Sequence, residues 1–152
     1  MKDESAKSVT SGEQPIDDGR AARDQKLSTA SLPQDLRVRT KQYGLRIIRL
    51  YVALPKRGEG DVIGKQVLRS GTSVGANFRE AHRSRSKAEF VAKIGDCLKE
   101  LEETSYWLEL LAESGIVPAA KLAALQDECE QLLAILTTIS KKSKASDESE
   151  SS

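Results

Sequence analysis

The sequence has little of what most enzyme and metal sites need. It has one histidine, two cysteines and one tryptophan in 152 residues, and aromatic residues make up only 4%. A metal site needs several His, Cys or acidic ligands, and a β-rich domain needs more Val, Thr and aromatic residues. The low aromatic content, together with 31% charged residues and frequent Leu and Ala, favours an all-helical protein.

Long apolar runs are also missing from the chain. No run of about 18 apolar residues occurs, and no signal-peptide core is found. We therefore expect a cytoplasmic protein without a membrane contact. Cys97 and Cys129 both fall on apolar helical stripes, and we interpret them as buried reduced thiols. We expect neither a metal site nor a cofactor.

Two terminal segments have no hydrophobic period. Residues 1–33 are rich in Ser, Asp, Lys, Gly and Gln, and residues 141–152 form a low-complexity polar run. Segments of this composition bury too little apolar surface to offset the entropy of ordering. We predict a disordered N-terminal extension and a disordered polar tail on either side of a globular region, residues 34–140.

Apolar residues repeat at helical spacing throughout the globular region. The predicted helices are residues 34–54, 59–82, 86–113 and 118–140, with proline or glycine in the first and third connections. Ser86 followed by Glu89 is typical of a capping box at the start of the third helix. Because the connections are short, consecutive helices should be antiparallel. The predicted fold class is all-α, an up-down-up-down four-helix bundle.

The first and third helices each carry apolar residues outside their core stripe. A helix that is apolar on two faces in a small domain usually contacts a second partner. We therefore predict self-association through the following candidate interface residues: Leu45, Ile48, Val52, Tyr106, Trp107 and Leu110. The alternative is that those of the third helix are ordinary, partly exposed side chains.

The second helix carries residues that helices usually disfavour. Gly64, Gly71 and Gly75 share one flank, where they permit close approach of a neighbouring helix. The other flank is polar, and we predict that it forms hydrogen bonds across a helix boundary, where an unpaired polar group is costly. This polar flank consists of Gln66, Ser70, Ser73, Asn77 and Glu80.

Charge is unevenly distributed along the chain. Residues 34–90 hold 13 Lys and Arg against 5 Asp and Glu, whereas residues 91–140 hold 3 against 9. A basic surface attracts phosphate backbones through counterion release. The candidate nucleic-acid-binding residues are Lys65, Arg69, Arg79, Arg83, Arg85 and Lys87. The alternative is a solvated face whose charges pair with carboxylates of the third helix, such as Glu100, Glu102 and Glu103.

No arrangement of residues points to catalysis. The sequence has no nucleophile motif and no phosphate-binding glycine loop, since Gly71 and Gly75 lie inside a predicted helix. Glu80 and His82 are two residues apart, so they point about 200° away from each other on a helix. We therefore predict a non-enzymatic protein.

One combination of residues and spacings resembles a known family. It covers roughly residues 40–137 and consists of Gln66, Arg69-Ser70, Ser73-Val74, Ala76-Asn77, Glu80, Ser86-Lys87, Glu89-Phe90 and Leu101-Glu102-Glu103. This combination is similar to the bacterial ribosomal RNA intervening-sequence proteins, a four-helix-bundle family. The resemblance implies an up-down bundle that assembles as a homopentamer with a central channel. Distant relatives, accessory proteins of diversity-generating retroelements, are pentameric and bind nucleic acid and a reverse transcriptase.

Two departures from the family pattern are visible. The family often has Gly after the position of Glu80, whereas here Ala81 follows, so the second helix is expected to run longer. The N-terminal extension lies outside the pattern. We expect an oligomeric, non-enzymatic bundle that binds RNA or DNA without sequence specificity. The alternative is a scaffold or accessory module that binds another protein and no nucleic acid.

Overall fold

The computed structural model describes residues 32–151. This part of the chain comprises four helices, α1 (Leu32–Ala53), α2 (Gly58–His82), α3 (Lys87–Glu113) and α4 (Ala119–Ser151). The prediction of a disordered extension over residues 1–33 lies almost wholly outside the described residues. The bundle described below is the unit that begins at Leu36.

The predicted all-α class is confirmed, and the apolar stripes of the four helices meet in one core. The apolar residues of each stripe are three or four positions apart, a spacing that places them on one face of a helix. The fully buried core side chains include Tyr43, Ile47, Val67, Val74, Ile94, Leu101, Leu108, Leu122, Leu132 and Leu136. No helix within residues 32–151 is both long enough and apolar enough to cross a membrane.

Each helix contacts its two neighbours around the bundle. The hydroxyl oxygens of Ser70 on α2 and Thr104 on α3 lie 2.8 Å apart. On the other side, Arg39 on α1 and Glu128 on α4 form an ion pair of 2.6 Å. Together with the α1–α2 and α3–α4 contacts below, these place α1 and α3 at opposite corners of an up-down-up-down bundle.

The glycines of α2 bring α1 close, as their common flank predicts. A Cβ atom at Gly71 would lie 2.7 Å from Cγ1 of Ile47, which is closer than Cβ atoms come to other side chains in proteins. A Cβ atom at Gly75 would lie 3.3 Å from the carbonyl oxygen of Thr40. The α1–α2 contact therefore depends on the absence of side chains at these positions.

Both cysteines are buried and free, which confirms their interpretation as reduced thiols. Each thiol also donates to a carbonyl of the preceding helix. Cys97 Sγ donates to Val74 O over 3.6 Å, and Cys129 Sγ donates to Leu101 O over 3.2 Å. Burial raises the pKa of Cys97 to about 12 and that of Cys129 to about 11. The thiols therefore stay protonated and link α3 to α2 and α4 to α3.

The ends of α3 follow their sequence signals. Ser86 is the N-cap, and its hydroxyl accepts from the backbone N–H of Glu89 over 3.1 Å. The Glu89 carboxylate accepts from the N–H of Arg85 over 3.2 Å rather than from Ser86, so the capping box is shifted by one residue. Beyond the end of α3, Gly115 adopts a φ of 80°, a left-handed conformation that favours glycine.

The C-terminal part of α4 differs from the prediction. The sequence indicated a helix ending near Ser140 and a disordered tail over residues 141–152, whereas α4 continues to Ser151. The first residues of the segment, Lys-Lys-Ser-Lys-Ala, include three lysines and an alanine, which favour helix without an apolar stripe. Lys87 Nζ also donates to Ser146 Oγ over 2.8 Å, which ties this segment to α3.

Candidate functional site

The described part of the chain has no arrangement typical of a metal site. No group of three or more His, Cys, Asp or Glu side chains within residues 32–151 is placed to hold an ion. Glu80 forms an ion pair of 2.7 Å with Lys93 on α3, and no hydrogen bond or ion pair among the described residues joins Glu80 to His82. The Glu80 carboxylate is therefore used in packing α2 on α3.

The polar flank of α2 has two kinds of residue. Ser70 and Glu80 contact α3, through Thr104 and Lys93, so these two hold helices together. Ser73 Oγ instead donates to a carbonyl of its own helix, over 2.6 Å. The side chains that form no hydrogen bond with any described residue are those of Gln66 and Asn77.

Two of the predicted nucleic-acid-binding cations on α2 are paired within the chain. Arg69 contacts Glu103 and, over 3.3 Å, Glu100, both on α3. Lys65 pairs with Asp61 over 3.1 Å, one turn earlier on α2. The hydrogen bond with Arg69 lowers the pKa of Glu103, and the same contact raises the pKa of Arg69. These two cations already have carboxylate partners.

The remaining predicted cations lie toward the end of α2 and the start of α3. Arg79, Arg83 and Arg85 are exposed and form no ion pair with any residue in the described range. Lys87 is half-buried and donates to Ser146 of α4. Arg83 and Arg85 lie in the α2–α3 connection, so they project from one end of the bundle.

The continuation of α4 adds cations at the same end. Because Lys87 contacts Ser146, the first turn of α3 lies beside this part of α4. Three exposed lysines of α4 lie within two turns of that contact and form no ion pair with a described residue. We call the resulting surface the basic end, and it consists of Arg83, Arg85, Lys141, Lys142 and Lys144.

Sequence reasoning missed the lysines of the basic end. Residues 141–144 read Lys-Lys-Ser-Lys, and the sequence predicts a disordered tail there because these residues lack an apolar period. The signal that identifies them as helical is the direct continuation of a strong helical pattern by residues of high helix propensity.

A groove of about 510 Å³ lies between α1 and α2. Gly44 and Gly75 bring the two helices together along it, since a Cβ at either position would lie within 4 Å of the opposite backbone. Apolar and small side chains dominate its lining, with one cation from each helix. The lining residues are Thr40, Lys41, Gly44, Leu45, Ile48, Thr72, Gly75, Ala76 and Arg79.

The outer face of α1 is apolar and exposed beside this groove. Leu45, Ile48 and Val52, predicted as interface residues, have exposed fractions between 36% and 70%. Val38, which sequence reasoning did not select, continues the same line at 55% exposure. Spacings of seven, three and four residues place all of them on one side of the helix. We call these residues the outer α1 line.

The three predicted interface residues on α3 have different surroundings. Tyr106 is 53% exposed, whereas Trp107 and Leu110 are half-buried. The rings of Tyr106 and Trp107 are tilted by 60°, with centroids 5.2 Å apart. Trp107 Nε1 donates to Glu103 Oε1 over 3.2 Å, which fixes the indole. The structure does not bring Tyr106 to the outer α1 line, because α1 and α3 occupy opposite corners of the bundle.

Comparisons with known proteins agree with this architecture. The family described as 23S rRNA-intervening sequence protein matches residues 34–138. A solved structure from Bacteroides thetaiotaomicron, described as a protein of unknown function from the S23 ribosomal protein family, is 35% identical. The match has a TM-score of 0.68 and covers 72% of this chain and 97% of the other. No functionally curated protein matches, and neither description names a catalytic activity.

Proposed function

This chain belongs to the 23S rRNA-intervening sequence protein family, and we propose that it is a non-catalytic bundle that assembles with copies of itself and binds RNA or DNA phosphates. The family name refers to inserts in ribosomal RNA genes and does not by itself imply binding. The proposal therefore rests on two surfaces, the outer α1 line and the basic end. A cytoplasmic location stays a prediction.

Self-assembly is supported by the outer α1 line. Exposed apolar residues are common singly, but contiguous apolar surface on a small domain usually marks an interaction site. Leu45, Ile48 and Val52 lie on successive turns of one side of α1, with Val38 two turns earlier, and the groove between α1 and α2 extends this surface. A homopentamer, which the family resemblance implies, is the expected assembly.

Nucleic-acid binding rests on one observation, the absence of carboxylate partners at the basic end. Arg69 and Lys65 are less available to phosphate because each already contacts a carboxylate. The cations of the basic end have no such contact among the described residues. Assembly would repeat this end in every copy and so strengthen its field. Phosphate contacts carry no base information, so the binding is expected to be nonspecific.

A salt titration tests the binding. Labelled single-stranded RNA and duplex DNA are titrated with the protein at about 50 and 200 mM salt, and binding is expected to weaken with a log–log slope of about −0.9 per phosphate contacted on duplex DNA. The variant Arg83→Ala/Arg85→Ala should bind more weakly and with a smaller slope. The control is Lys65→Ala, which removes an exposed but paired cation of α2 and should bind nearly as the wild type does.

The same titration separates the proposal from its alternative. An oligomeric protein that binds neither RNA nor DNA at about 50 mM salt would favour a scaffold or accessory module whose partner is another protein. Equal losses in Lys65→Ala and in Arg83→Ala/Arg85→Ala would place binding outside the basic end.

A further inference from the structure

α3 presents an outer face that is both aromatic and acidic. Gly95, Glu102, Tyr106, Glu109 and Glu113 are all exposed, and their spacing places them on one side of the helix. None of the three glutamates forms an ion pair with a residue in the range 32–151. The tilted contact with Trp107 orients the ring of Tyr106 in advance. We call these five residues the acidic α3 face.

The groove between α1 and α2 has the complementary character. Leu45 and Ile48 supply apolar surface, and the groove has room for more than one side chain. Lys41 and Arg79 lie on opposite helices of the groove and have no ion pair with a described residue. Complementary charges beside matching apolar surfaces select one partner and one register.

Gly95 gives an independent indication that α3 is closely approached from outside. Glycine is among the least favourable residues in a helix interior. A Cβ atom at Gly95 would have no atom within 4 Å, so no contact among the described residues explains its choice. A helix from another molecule packing against α3 at this point does explain it, because glycine permits close backbone approach.

We propose that the α1–α2 groove of one copy binds the acidic α3 face of a second copy, with Tyr106 in the groove between Lys41 and Arg79. This inference rests on the proposed self-assembly and specifies its contacts. Since the two surfaces belong to different corners of one bundle, the contact is heterologous. Each copy contacts one neighbour through its groove and the other neighbour through its acidic α3 face. Such an assembly closes into a ring when the rotation between neighbouring copies is a simple fraction of a full turn.

Charge and composition favour a second copy over the chain's own N-terminal segment as the occupant. Residues 1–31 hold 5 Lys and Arg against 6 Asp and Glu and contain no aromatic residue. The acidic α3 face instead concentrates its carboxylates on both sides of an exposed aromatic ring. It therefore matches a groove with two cations and apolar walls.

Charge reversal in the full-length chain tests the pairing. Groove reversal is Lys41→Glu/Arg79→Glu, and face reversal is Glu102→Lys/Glu109→Lys. We expect each to weaken assembly by at least tenfold in sedimentation equilibrium, and the variant with all four changes to recover most of the loss.

Tyr106→Ala should also weaken assembly, because aromatic residues at the centre of an interface contribute most. Exposed Lys121→Glu is the matched control, and circular dichroism checks that each variant is folded.

Each failure has a separate signature. If the wild-type protein assembles but neither reversal changes its mass, the pairing is wrong and self-assembly stands. If both reversals weaken assembly but the fourfold variant does not recover, the two surfaces do not contact each other. A wild-type protein that is monomeric at tens of micromolar overturns both the pairing and the proposed self-assembly, and leaves the groove to the N-terminal segment or to another protein.

Discussion

A methyl group added at two helical glycines meets opposite surroundings. At Gly71 it would lie 2.7 Å from Ile47, inside the α1–α2 contact, whereas at Gly95 it would meet nothing. We expect Gly71→Ala to lower the free energy of unfolding by about 1–3 kcal/mol, the usual effect of overpacking. Gly95→Ala is the control, measured at a protein concentration where the chain is monomeric, because a second copy is proposed to pack at this glycine. It should raise the free energy of unfolding by about 0.5–1 kcal/mol, because alanine favours helix. Urea unfolding measures both, and equal effects would contradict the packing described for Gly71.

The buried thiols make stability depend on alkaline pH. Burial raises the pKa of Cys97 to about 12 and that of Cys129 to about 11, above the ordinary value of 9.0. Below the ordinary value both states keep the protons, so the contribution is fully present. As pH rises from 9 toward 11 and 12, the unfolded chain loses protons that the folded chain retains, and stability falls.

The alkaline loss is checked by urea unfolding at several pH values between 8 and 11. Cys97→Ala should show a shallower loss than the wild type, although its stability at pH 8 will be lower because a core side chain is shortened. Burial also raises the pKa of Tyr43, so some alkaline dependence remains in the variant. Identical pH slopes for the variant and the wild type would show that Cys97 ionises equally in both states.

Between elements, the hydroxyl pair of Ser70 and Thr104 is a buried polar contact of α2 with α3. Both side chains are fully buried, and their oxygens lie 2.8 Å apart. Thr104→Val keeps the shape but removes the hydroxyl, so we expect a loss of about 1–2 kcal/mol in the free energy of unfolding. Ser70→Ala should lower the free energy of unfolding less in the Thr104→Val variant than in the wild type, because its hydroxyl partner is already absent there.

The control for the hydroxyl pair is Ser73→Ala. Ser73 lies on the same helix but bonds to a carbonyl of its own helix and is half-buried. Its loss is expected to stay within about 0.5 kcal/mol. Strict additivity of Ser70→Ala and Thr104→Val would show that the two hydroxyls do not stabilise each other.

The helices themselves could be predicted because the apolar residues repeat at helical spacing and proline, serine and glycine mark their ends. α2 and α3 lie within one residue of the predicted bounds. The end of α4 could not be predicted in this way. Beyond Ser140 no apolar stripe continues, and the helix depends on propensity and on the contact between Lys87 and Ser146.

The surfaces were harder to predict than the elements. Helical angles correctly placed Leu45, Ile48 and Val52 on an exposed face. The angles also directed Arg69 outward and left open whether it pairs with carboxylates of α3, and the structure shows that it reaches Glu100 and Glu103. Ion pairing between helices depends on their axial register, which a single sequence does not contain. The α1–α2 groove depends on the same register.

At the scale of the whole molecule, the basic half and the acidic half of the chain pair only in part. Arg39 pairs with Glu128 across α1 and α4, and Arg69 pairs with carboxylates across α2 and α3. The charges without an ion-pair partner among the described residues include cations of α1, α2 and α4 and the carboxylates on the outer side of α3. This separation gives one bundle two surfaces of opposite sign.

The two proposed interactions should respond differently to salt. At about 1 M salt the screening length is about 3 Å, so phosphate contacts with exposed cations are largely lost. Contacts of the outer α1 line and of Tyr106 are mainly apolar and should persist. We therefore expect the assembled mass at about 1 M to remain near its value at about 50 mM, while RNA binding disappears.

Light scattering and fluorescence anisotropy on the same samples measure the assembled mass and the RNA binding together. Arg83→Ala/Arg85→Ala should lower the anisotropy and leave the assembled mass unchanged. The main effect of Tyr106→Ala should be a lower assembled mass. Dissociation of the wild-type assembly at high salt would indicate an interface stabilised mainly by its charge pairs, such as those proposed for Lys41 and Arg79, rather than by apolar contact. The apolar residues of the groove would then determine the shape of the interface more than its affinity. Ion pairs, which high salt screens, would supply most of the binding free energy at low salt.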